Sequence, residues 1–103
     1  MSRAKLSEGS VVLNLQHLKG WTLSDCKQFI ERELAFKDFR AAWAFMNKVA
    51  EKAEALDHHP NWSNVYNRVH ISLTTHDSGG LSELDFALAH HIDDLLDNQN
   101  SNN

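Results

Sequence analysis

Between residues 39 and 56 the apolar positions Phe39, Ala42, Trp43, Met46, Val49, Ala50, Ala53 and Leu56 fall three and four apart. That spacing puts them on one face of an α-helix. Asp38 stands where an N-cap carboxylate would accept from free amides. Pro60 disfavours helical geometry at His59, so the chain is expected to leave the helix extended. A second stripe, Leu81, Leu84, Leu88, Ile92 and Leu95, predicts a final helix. Ser82 and Asp85 form a capping-box-like pair at its start. Between the helices the period changes to two. Trp62, Val65 and Tyr66 precede Asn67-Arg68, and Val69, Ile71 and Leu73 alternate after it, which predicts a hairpin over 61–75. Upstream, Trp21, Leu23, Phe29, Ile30, Leu34 and Phe36 flank a polar turn, Ser24-Asp25-Cys26-Lys27. Two strands fit this stretch best, with a helix over 27–34 as the competing reading. Leu6, Val11, Leu15 and Leu18 would line a short first helix, although Gly9, Ser10, Val11 and Val12 are poor helix formers. The order predicts an α+β fold: a four-stranded antiparallel sheet with two long helices, and a short N-terminal one, on one face. Residues 1–97 are expected as a single domain, and 98–103 as a polar, disordered tail.

Composition narrows the function classes. The 103 residues include 10 Lys and Arg against 14 Asp and Glu, a net charge of -4. Direct nucleic-acid binding is not expected, because it calls for a basic face. No apolar run approaches the ~20 residues of a membrane span, and the first residues lack the apolar core of a secretory signal. One cysteine, Cys26, rules out an internal disulfide and a thiolate zinc cluster. A reducing cytosol is the default compartment.

The seven histidines change the picture. Imidazole titrates near neutrality, so a cluster is a reason to look for proton chemistry. His58-His59 precede the only proline, and His76 opens a loop that runs to Gly79-Gly80. Glu54 lies four residues before His58 and is expected to touch it and fix its tautomer. The plain alternative is a cationic helix-end histidine. Asp85 has a complete explanation as a helix N-terminal carboxylate, and a second one if it reaches back to the His76 loop and orients that ring. His70 reads as a sheet-surface residue. His90-His91 read as mid-helix residues without function. Glu54, His58, His59 and His76 as a metal site is the weaker use, because no HExxH spacing is present and adjacent histidines project differently. No phosphate loop is present either.

Taken in order, Phe36-Lys37-Asp38-Phe39, the run from Glu54 through His58-His59-Pro60-Asn61-Trp62, the segment Asn64 to His76, and Gly80-Leu81-Ser82-Glu83-Leu84-Asp85 closely resemble the pterin-4a-carbinolamine dehydratases. The resemblance covers roughly residues 20 to 96. It implies a hydro-lyase that dehydrates a 4a-hydroxytetrahydropterin to the quinonoid dihydropterin in tetrahydrobiopterin recycling, without metal or organic cofactor. It implies His58, His59 and His76 around the pterin. His58 and His76 are then general acids for the leaving hydroxyl on the two ring faces, and His59 a substrate-binding base. Glu54 and Asp85 orient histidines, while Trp21, Asp57 and Pro60 contact substrate. For Trp21 the alternative is core packing. Animal members also act as a dimerisation cofactor of a hepatic homeodomain transcription factor. An interaction module in the cytoplasm and nucleus is therefore the second reading. The surplus apolar groups on the long helix, Phe39, Trp43, Phe45, Met46 and Val49, predict a homodimer or homotetramer.

Overall fold

The structure is a computed structural model that describes residues 1–101, with side chains up to 98. Helix α1 (Glu8–Leu15) is followed by strands β1 (Thr22–Leu23) and β2 (Ile30–Ala35). Helix α2 (Phe39–Leu56), strands β3 (Asn61–Val65) and β4 (Arg68–Leu73) and helix α3 (Glu83–Ser101) complete the chain. The strands form one antiparallel sheet in the order β1-β2-β4-β3. The α+β reading stands.

Local chemistry explains the elements. Strand β2 prevails over the helix alternative because Ile30, Arg32 and Leu34 pair with Leu73, Ile71 and Val69. That register sets one alternating row of β2 against the buried row of β4. The turn before it is built as the polar residues suggest: the Lys27 N–H donates to the Ser24 carbonyl at 2.9 Å, with Lys27 at φ 63°. Helix α1 forms despite Gly9, because the Ser7 hydroxyl caps it by accepting from the Ser10 N–H. The hairpin turn falls on Tyr66-Asn67, one residue earlier than the sequence suggests, with Tyr66 in the left-handed region.

Asp38 caps α2 through the Ala41 N–H at 2.8 Å. The buried face of α2 is Ala42, Phe45, Met46, Val49 and Ala53. This corrects the apolar stripe: Phe45 joins the core face, and Phe39, Trp43 and Ala50 are exposed. Phe45 lies in the core, stacked at a tilt on Phe36, whereas Phe39 and Trp43 stand half-exposed and stacked on each other at 6.0 Å. Helix α3 buries Leu84, Phe86, Leu88, Ala89 and Ile92. His90 points to solvent, and partial burial, with Lys52 nearby, lowers the His91 pKa. The α3 backbone stays helical through Ser101, into the stretch expected as a tail; residues 102–103 lie outside the described part. Among the described residues no helix is long and apolar enough to cross a membrane.

Candidate active site

The end of α2 decides where two histidines go. Asp57 takes a left-handed conformation, φ 51° and ψ 45°, and closes the helix. Asp is one of the few side chains that tolerate this region. The His58 N–H then bonds back to the Ala53 carbonyl at 3.0 Å, a reversal typical of helix C-termini. The reversal sends His58 inward, where it is 6% exposed, and leaves His59 outside. Helical i,i+4 spacing therefore no longer applies past Leu56. Glu54 pairs with His59 (Oε1 to Nε2, 2.6 Å) and not with His58, which corrects the expected contact.

His58 is held instead by Asp85, Nε2 to Oδ1 at 2.6 Å, with the carboxylate fully buried. Of the two readings of Asp85, the helix-start carboxylate holds, and the ring it contacts is His58 rather than His76. It reaches the His76 loop through the neighbouring residue, because the Thr75 hydroxyl donates to Asp85 Oδ2 at 2.8 Å. The Ser82 N–H donates to the same oxygen at 2.9 Å, which completes the capping arrangement. Thr75 and Ser82 hydroxyls meet at 2.6 Å, and Ser82 Oγ accepts from the Leu84 N–H. These bonds have one consistent direction. Thr75 gives its proton to Asp85, so Ser82 must give its proton to Thr75. Asp85 as an acceptor then requires the proton on His58 Nε2. Nδ1 of His58 is left as the nitrogen free to take or deliver a proton. No buried side-chain polar atom among the described residues lacks a partner.

His76 enters from the end of β4, where a single 3-10 turn spans His76–Ser78. Its ring is exposed and no described side chain pairs with it. His58, His59 and His76 line one open cleft of about 210 Å³, with Asp57 at its edge. Arg3 also lines it, donating from Nη2 to the Asp57 carbonyl at 2.6 Å. Arg3 and Thr75 were not legible as site residues: nothing in their local sequence marks them, since both depend on where the chain folds back. Pro60 is half-buried and does not line the cleft. Trp21 does not line it either. Its indole N–H donates to Asp93 Oδ1 at 2.8 Å, and Arg32 holds the same carboxylate at 2.7 Å. Asp93 lies eight residues along α3 from Asp85, about 12 Å at 1.5 Å per residue.

Three rings with three different settings suit acid–base work on a flat guest. One is buried and fixed by a carboxylate, one is exposed and carboxylate-paired, and one is free. Among the described residues no group of three or more His, Cys, Asp or Glu is arranged to hold a metal ion.

Comparison with known proteins bears on the family of the chain. The family model described as pterin 4 alpha carbinolamine dehydratase matches residues 4–95. A Rhodospirillum rubrum protein named for that activity is 55% identical over 76 residues, 74% of this chain and 79% of its own length. A Synechococcus protein of the same name is 65% identical over 66 residues, 64% of this chain and 71% of its own. A solved structure from Brucella melitensis, described as a transcriptional coactivator/pterin dehydratase, superposes with a TM-score of 0.83 at 43% identity. It covers 85% of this chain and 94% of its own. The sequence motifs and the fold converge, and the chain belongs to the pterin-4a-carbinolamine dehydratase family.

Proposed function

We propose that the protein is a hydro-lyase that converts a 4a-hydroxytetrahydropterin to the quinonoid dihydropterin and water, as in tetrahydrobiopterin recycling, by histidine acid–base catalysis. The carrying observation is the single cleft lined by His58, His59 and His76. Hydroxide is a poor leaving group. An imidazolium at the cleft gives its proton to the 4a oxygen as the carbon–oxygen bond breaks, and water leaves. The lone pair of ring nitrogen 5 forms the carbon–nitrogen double bond. The resulting cation loses a ring N–H proton to a neutral imidazole. His58 and His76 suit the acid step on the two ring faces, and His59 suits substrate binding and the base step. Asp85 and Glu54 position His58 and His59.

The test is stopped-flow dehydration of a freshly generated carbinolamine. Enzyme at micromolar concentration is expected to accelerate the decay well above the uncatalysed rate, with EDTA leaving it unchanged. A rate equal to the uncatalysed one overturns the reading, and inhibition that zinc reverses supports a metal-dependent reaction instead.

The half-exposed Phe39–Trp43 stack favours a second role, an interaction surface on α2. A stacked aromatic pair on a helix face suits self-association, or the coactivator role in the description of the Brucella structure. Light scattering is expected to give a dimer or tetramer, and Trp43→Ser to shift the mass toward a monomer. A monomeric wild-type protein at micromolar concentration counts against this surface as a self-association face.

A further inference from the structure

Part of the cleft wall comes from the segment ahead of α1. Residues 1–7 form a strap that is tied down on both sides of Arg3. The Ser2 N–H donates to Glu83 Oε2 at 3.0 Å, and the Leu6 N–H donates to the Leu81 carbonyl at 2.8 Å. Both ties lie at the start of α3. They hold Arg3 over the end of α2, where its Nη2 donates to the Asp57 carbonyl at 2.6 Å. Arg3 is the one Lys or Arg in the cleft lining. A guanidinium has five N–H donors. One is used here, and the others make no hydrogen bond to a described residue. The Asp57 carboxylate stands 3.6 Å from the same nitrogen. The pair therefore brings no net charge to a reaction that builds a cation on the ring, which an unbalanced guanidinium would oppose.

A guanidinium is a planar fork that suits two oxygens lying side by side. The proposed substrate offers such a pair. Carbon 4a bears the hydroxyl, and carbon 4, bonded to it, bears the ring carbonyl. We infer that Arg3 recognises this hydroxyl–carbonyl pair and so favours the carbinolamine over pterins that lack an oxygen at carbon 4a. This rests on the proposed dehydration, in which the histidines keep the proton transfers. A purely structural Arg3, one that only caps the last α2 carbonyl, would affect stability and leave substrate affinity alone.

The test is stopped-flow kinetics of Arg3→Gln and Arg3→Lys on the freshly generated 6-methyl carbinolamine, with inhibition by 6-methyl-7,8-dihydropterin measured beside it. Arg3→Gln is expected to raise KM about tenfold, the size of one lost charge-assisted hydrogen bond, with kcat changed far less. Inhibition by the dihydropterin, which shares only the carbonyl, should weaken by a smaller factor. Arg3→Lys keeps the charge on a single nitrogen and should recover only part of the affinity. The Arg3–Asp57 pair is exposed, so melting temperatures should stay where they are. Lys5→Gln, on the same strap but lining a different hollow, should behave as wild type. The inference is overturned by an unmoved KM in Arg3→Gln, by equal losses of affinity for carbinolamine and dihydropterin, by full recovery in Arg3→Lys, or by the same rise in Lys5→Gln. In each of these cases wild-type turnover leaves the dehydratase reading standing. Wild-type turnover no faster than the uncatalysed decay overturns the two together.

Discussion

Replacing His59 or His76 with alanine is expected to slow dehydration about a hundredfold or more, since a positioned acid or base contributes typically 10²–10⁴-fold. Neither change should unsettle the fold. His59 is exposed and bonds only the exposed Glu54, and His76 is exposed without a side-chain partner. Surface changes of this kind usually stay within about 0.5 kcal/mol. His58→Ala belongs to a different class. It should lose activity to a similar degree and also lower the melting temperature, because Asp85 Oδ1 is left buried without its donor. The three variants thus separate chemistry from architecture. Loss of rate at unchanged stability in His59→Ala and His76→Ala identifies groups that act on the guest. Rates near wild type in His58→Ala and His59→Ala would remove the assignment of acid–base catalysis to these rings.

The parts of the fold that local periodicity encodes were legible in the sequence. Helix α2 has the bounds the apolar spacing suggests, and Val69, Ile71 and Leu73 face the core as their alternation requires. Which apolar residues of α2 are buried was less legible. Phe39 and Trp43 have the spacing of a core face yet stand half-exposed, while Phe45 fills the space beside Phe36. A stripe wider than the sheet can cover has no local mark that separates its covered side from its open side. The histidine pairings failed for a related reason. Four-residue spacing links Glu54 to His58 only while the helix continues, and the left-handed Asp57 ends it. Asp85 was legible as a capping carboxylate, and it caps. Its bond to His58 spans 27 residues and follows from tertiary packing alone. For Trp21 the sequence leaves two readings, substrate contact and core packing; its indole N–H donates to Asp93 and the ring packs partly buried against the core.

Asp85→Ala is expected to have the largest effect on stability of any single change at the site. The carboxylate is fully buried and takes three donors, His58 Nε2–H, Thr75 O–H and Ser82 N–H. Removing it leaves all three facing a methyl group. Breaking a buried, hydrogen-bonded pair in this way costs about 3–5 kcal/mol. A single domain is stable by only about 5–15 kcal/mol, so much of the variant should be unfolded by moderate urea. Asp85→Asn makes the sharper test of what the carboxylate does for catalysis. Its amide oxygen can still accept from Thr75 and Ser82, which keeps the start of α3 capped. Its NH₂ then faces His58 Nε2, which must turn from donor to acceptor. The ring proton moves to Nδ1, and the protonated form is disfavoured because two N–H groups would meet. A His58 locked in that tautomer has no proton to give short of becoming an imidazolate. The variant should therefore fold, retain affinity for a dihydropterin and lose most of its turnover, with the imidazole ¹⁵N shifts of His58 exchanged between the two nitrogens. Wild-type turnover in a folded Asp85→Asn protein with the exchanged shifts would show that the His58 tautomer has no part in the reaction.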